Sequence, residues 1–224
     1  MKRLKKWIRV YAKVTALLDK CLVDLRKKQV KRQNFSIICN NCWGGYVYRR
    51  YRLPYLSPTI GLYFFAEDFV KMCSDLKKYM NAQLEFIPLE ESKYKDELIK
   101  RNQVNVPIAR LRDIEVVFLH YSSEKEAEEK WNRRVKRINY DNLIIKFSKM
   151  NLCTEHELVA FDQLKFNKKI CFVPPEDCGL ISCGIPFKSA AGKIYVENDS
   201  NEYGRYINLT RLINAKLVCG NHME

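Results

Sequence analysis

No apolar run in these 224 residues reaches the roughly 18–20 needed to cross a bilayer. The N-terminus has no compact apolar stretch or small-residue cleavage site, so a secretory signal is not expected. Zinc chemistry has little to work with. Cys39-Asn40-Asn41-Cys42 is formally a C-x-x-C pair, but no second pair or nearby histidine completes a site. A glycine-rich phosphate loop and a D-x-D metal motif are also missing, which removes the usual marks of a nucleotide-sugar or metal enzyme. No metal and no cofactor are therefore expected. Histidine is scarce, with only His120, His156 and His222.

What is present is charge, unevenly placed. The net charge is +14, and residues 1–33 hold twelve Lys or Arg against Asp19 and Asp24, a local +10. The remainder carries only +4, too balanced for a nucleic-acid surface, so no nucleic-acid partner is expected. Leu4, Trp7, Ile8, Tyr11, Val14, Leu18, Cys21, Leu22 and Leu25 recur at helical spacing. Residues 1–33 thus read as a basic amphipathic helix suited to a membrane surface, or to packing on the domain's own core. A cytoplasmic protein is expected, peripheral on the inner face of the membrane if that helix rests on lipid.

Residues 34–224 read as a single α/β domain. Strands are expected at 35–39, 60–65, 84–87, 114–119, 143–147 and 169–173, with a weaker one at 194–196. Helices are expected at 67–81, 123–137, 154–164 and 203–214. Ser123 with Glu126 and Thr154 with Glu157 form capping-box patterns. Residues 90–106 read as a loop or hairpin. Strands alternating with helices, several of them continuous apolar runs, predict a layered α/β/α fold with a mainly parallel sheet.

Ligands in such sheets bind beyond the carboxyl ends of the strands. Asn40-Asn41-Cys42-Trp43-Gly44-Gly45 follows the first strand, and His120-Tyr121 follows the strand at 114–119. A cysteine between a strand end and a helix start meets N–H groups that favour thiolate, so Cys42 is the candidate nucleophile. His120 is the candidate base and Asp141 the group that orients it. Asn40 and Asn41 are candidate oxyanion donors, while Gly44 and Gly45 permit close backbone approach to a bound group. In Trp131-Asn132-Arg133-Arg134 the arginines suit a phosphate or a sugar-acid carboxylate. Trp43, Tyr121, Trp131, Arg133 and Arg134 complete the expected substrate-binding set. Each has a plainer alternative: Cys42 as a buried thiol, His120 as a satisfied strand-end histidine, the arginines as a solvated helix end.

These stretches resemble a bacterial family, number 1919 among the domains of unknown function. The resemblance runs through the 35–45 turn, Tyr48-Arg49, Leu53-Pro54-Tyr55 and Ser57-Pro58-Thr59-Ile60-Gly61-Leu62. It continues in Phe118-Leu119-His120-Tyr121, Glu129-Lys130-Trp131-Asn132-Arg133-Arg134 and Asp141-Asn142-Leu143, covering roughly 35–175. It implies a role in capsule or exopolysaccharide biosynthesis, with acyl or acetyl transfer as the expected reaction. Polysaccharide or a lipid-linked saccharide is then the expected partner. A papain-like cysteine hydrolase and a non-catalytic glycan- or partner-binding protein are the rival expectations.

Overall fold

The computed structural model describes residues 22–189 and 193–215. Two sheets organise it. Strands β1 (Ser36–Cys39), β5 (Leu143–Ser148), β6 (Lys169–Val173) and β7 (Gly184–Pro186) form a parallel sheet in that spatial order. Strands β2 (Glu85–Ile87), β3 (Ile108–Leu111) and β4 (Ile114–Val117) form a separate antiparallel sheet.

Strands β1, β5 and β6 are buried on both faces, as their largely apolar runs require, while the short edge strand β7 is partly exposed. Ile37, Cys39, Ile144, Ile170 and Phe172 join one core, with helix α2 (Trp43–Arg50) and α9 (Leu209–Asn214) packed on it. Ile38, Ile145, Phe147, Cys171 and Val173 alternate to the other face. There they meet α3 (Ala66–Ser74), α6 (Glu124–Val135) and α7 (Glu155–Gln163). The fold is therefore layered α/β/α, with the antiparallel sheet appended.

Several expectations need correction. The strand ending at 117 belongs to the antiparallel sheet, so His120 does not follow a parallel strand. Residues 60–65 form only one bridge, Tyr63 with Val117. Gly61 takes φ +77° there, and a Cβ would stand 3.2 Å from the Tyr121 ring, so the chain kinks instead of extending. Residues 95–100 form a short helix, α5 (Lys95–Lys100), where a loop or hairpin was expected, and residues 194–196 lie outside any strand. The 67–81 helix breaks at Asp75 into α3 and α4 (Leu76–Met80). Only 22–29 of the N-terminal basic helix is described, and it is helical; the lipid-facing part expected before it lies outside the described residues. No helix among the described residues is long and apolar enough to cross a membrane.

Helix α2 sits against β1 because Gly44 has no side chain. A Cβ at Gly44 would lie 3.2 Å from Cys39 Sγ and 3.3 Å from both Ile37 Cγ2 and Ile60 Cδ1. The Tyr48 hydroxyl pins the same helix, donating to Phe35 O at 3.0 Å and accepting from Ile37 N at 3.2 Å. Gly45 is different: its nearest neighbour would be Ile60 Cγ2, at 3.4 Å. Alanine in a helix gains up to about 1 kcal/mol over glycine, whereas overpacking a core costs about 1–3 kcal/mol. Urea denaturation should therefore show Gly44→Ala less stable than the native chain and Gly45→Ala equal or more stable. The reverse order would contradict this packing.

Candidate functional site

The turn between β1 and α2 is held by a buried polar network. Asn40 reaches across to β5: its Nδ2 donates to Ser148 O at 3.0 Å, and Ser148 N donates back to Asn40 Oδ1 at 3.1 Å. Asn41 is bound more tightly. Its Nδ2 donates to both carboxylate oxygens of Asp199, at 3.0 and 2.9 Å. Its Oδ1 accepts from Trp43 N and from Lys146 Nζ, each at 3.1 Å.

Lys146 and Asp199 make an ion pair with side chains 0% and 3% exposed. Ser148 Oγ also donates to Asp199, at 2.6 Å. Burial alone would push the Asp199 carboxyl up, but Lys146, Ser148 and Asn41 outweigh it and hold it below the ordinary carboxylate range. The Lys146 ammonium lies over the Trp43 and Phe172 rings, 5.8 and 5.4 Å from their centres. Asn40, Asn41, Trp43 and Gly44, all expected to touch substrate, are instead buried and spend their polar groups or their close contacts on structure.

The residue this network presents is Cys42. It is partly buried at the N-cap of α2, and its S–H donates to Leu62 O at 3.8 Å. One residue earlier, Gly61 O accepts from His120 N at 2.9 Å. The 60–62 strip thus brings the Cys42 and His120 segments together, although they belong to different sheets. Both residues line one cavity of about 330 Å³.

Tyr121 and Arg134 complete its wall. The Tyr121 hydroxyl donates to Ile60 O at 2.5 Å and accepts from Arg134 Nη1 at 2.6 Å. Burial pushes the Tyr121 phenol up, so it remains a donor. Arg134 stands 5.1 Å over the Tyr55 ring and is only 7% exposed. Arg49 and Lys130 add two more cations to the lining, and among the described residues no carboxylate is part of it. Of the lining residues Tyr46, Arg49, Tyr55 and Lys130, none was signalled as a site residue by the sequence: Tyr46 and Arg49 lie on α2, Lys130 on α6 and Tyr55 in the loop between Leu53 and Pro58, and only tertiary packing brings them together.

Asp141 does not join them. It precedes β5, whose first residue pairs with Ser36 at the start of β1, whereas Cys42 follows the end of β1. The length of β1, at about 3.3 Å per residue, puts at least about 10 Å between the two. Asp141 instead lines a larger open groove of about 770 Å³ at the amino ends of the strands. Lys77, Lys165 and Asp75 share that groove, so its charges largely cancel. Arg133 is exposed, and Trp131 is core, meeting Phe118 edge-on at 6.2 Å. Of the expected site residues, the structure brings Cys42, Gly45, His120, Tyr121 and Arg134 to one cavity.

Residues 14–211 match the profile of the family described as domain of unknown function (DUF1919). The chain belongs to this family. An uncharacterized protein of Haemophilus influenzae is 32% identical over 146 residues, which span 65% of this chain and 65% of that protein.

The cysteine is not preset as a nucleophile. Burial, then the neighbouring Cys39 thiol and Asp199, push the Cys42 thiol up to about 11. At pH 7 about one molecule in ten thousand then carries the thiolate. Alkylation by iodoacetamide, followed on the Cys42 peptide by mass spectrometry, should rise with a midpoint near pH 11. A midpoint at or below pH 7 would show an activated thiolate and contradict this description.

Proposed function

We propose that this chain is a transferase that acylates a polysaccharide or its lipid-linked precursor in cell-surface polysaccharide assembly. The observation that carries the reading is one cavity that gathers an imidazole, a thiol, three phenols and three cations, with no carboxylate in its lining among the described residues. The setting comes from the capsule and exopolysaccharide role that the motif resemblance implies.

The raised thiol favours direct transfer over a covalent cysteine intermediate. His120 is the base. As the acceptor hydroxyl oxygen bonds to the carbonyl carbon of an acyl thioester, His120 takes the hydroxyl proton. The carbon–sulfur bond of the donor breaks, and His120 returns the proton to the departing thiolate. Tyr121 and Arg134 hold the substrate in register. The cysteine-hydrolase reading loses support on two counts: no hydrogen bond joins Cys42 to His120 among the described residues, and Asp141 lies at the other end of the sheet.

The test is incubation of the full chain with acyl thioesters and capsule-type oligosaccharides, with products read by mass spectrometry. The expected product is an oligosaccharide heavier by one acyl group. His120→Ala should slow its formation by about 10²–10⁴-fold, and Cys42→Ala should leave it within about tenfold. Ester hydrolysis without transfer, lost in Cys42→Ala, would overturn the reading in favour of the hydrolase.

A further inference from the structure

Arg134 is buried without a counter-charge. Among the described residues no carboxylate pairs with it, and both of its hydrogen bonds leave from Nη1, to Ile60 O at 3.3 Å and to the Tyr121 hydroxyl. Nη2 and Nε therefore have no protein acceptor among the described residues. A guanidinium set this deeply, with its unspent N–H groups turned to the cavity, is stabilised when something there supplies the opposite sign. The site holding it is built with care. Tyr121 donates to Ile60 O, so the phenol presents a lone pair to the guanidinium, whose central carbon lies over the Tyr55 ring. The fork is fixed in orientation with its remaining N–H groups unspent.

We infer that this cavity binds the phosphate group of a saccharide phosphate, with Arg134 as its central ligand and Arg49 at its mouth. The inference rests on the reading of the cavity as the substrate site and names what that substrate carries. Charge decides between the two anions an arginine fork recognises. Lys130 is already paired with Glu126, which leaves two lining cations, Arg49 and Arg134, with no carboxylate partner among the described residues. A phosphate monoester brings about −1.5 to −2 at neutral pH and matches them, whereas a sugar-acid carboxylate brings only −1. The cavity of about 330 Å³ is at the small end of ligand sites, with room for a phosphate and one sugar ring.

Calorimetric titration of the full chain with glucose 1-phosphate, glucuronate and adenosine 3′,5′-bisphosphate tests this. Glucose 1-phosphate should bind most tightly, and Arg134→Gln should weaken it by about 30-fold, the scale of losing charged hydrogen bonds. Arg134→Lys keeps the charge without the fork and should fall between the two. Arg134→Met should melt at or above the native temperature while losing the phosphate-induced rise in melting temperature. Tighter binding of glucuronate or of the bisphosphate, or unchanged phosphate affinity in Arg134→Gln, would overturn the inference. So would a phosphate-insensitive Arg134→Met that melts far below the native chain, because the arginine would then be a structural support. Phosphate binding without acyl transfer would overturn the proposed reaction and leave this inference standing; transfer to neutral acceptors without phosphate binding would do the opposite.

Discussion

The pairing of Lys146 with Asp199 is the constraint on which the carboxyl end of the sheet depends. Lys146 is a fully buried charge in the middle of an otherwise apolar strand. Alone it would be intolerable there; with Asp199, Asn41 and Ser148 around it, every partner is satisfied. The gain is positional more than energetic, since a buried ion pair seldom beats well-packed hydrocarbon of the same size. The pair draws α8 (Asp199–Glu202) onto the sheet and fixes Asn41, whose side chain then orders the first turn of α2. Cys42 is the next residue along the chain, which explains how a partly exposed thiol keeps one place at a cavity edge.

The other half of the cavity is set by the kink at Gly61. This strip touches both sheets, through Tyr63 to Val117 and through Phe64 N to Asn40 O at 3.2 Å. Its carbonyls serve Cys42, His120, Tyr121 and Arg134 in turn. A segment with little regular hydrogen bonding of its own has backbone acceptors to spare. Three side chains and the backbone amide of His120, from three separate elements, are aligned by that spare capacity.

Local patterns were largely readable. The largely apolar strands, the Thr154–Glu157 capping box and the Ser123 cap of α6 all reflect interactions within a few residues. The turn at 40–45 and the pair His120-Tyr121 were also visible, because such residue types between elements are conspicuous. What the sequence concealed is long-range. Lys146 sits inside Ile144-Ile145-Lys146-Phe147, which reads as a strand without any mark of what the charge is for, because its partner is 53 residues away in a weakly patterned tail. Asn40, Asn41 and Gly44 looked like ligand contacts because turns at strand ends often are. Here the same residue types were needed to bind the turn to its neighbours. Arg133 and Arg134 are adjacent in sequence, yet the helix turns one to solvent and the other inward, a difference that only the packing of α6 decides.

A double-mutant cycle on Lys146 and Asp199, read by equilibrium denaturation, tests the central claim most directly. Lys146→Met and Asp199→Leu should each cost about 3–5 kcal/mol, because each strands a buried charge, and the combined variant should recover much of that loss. Two small and additive effects would show that the charges do not meet, and the account of how the turn is held would fail.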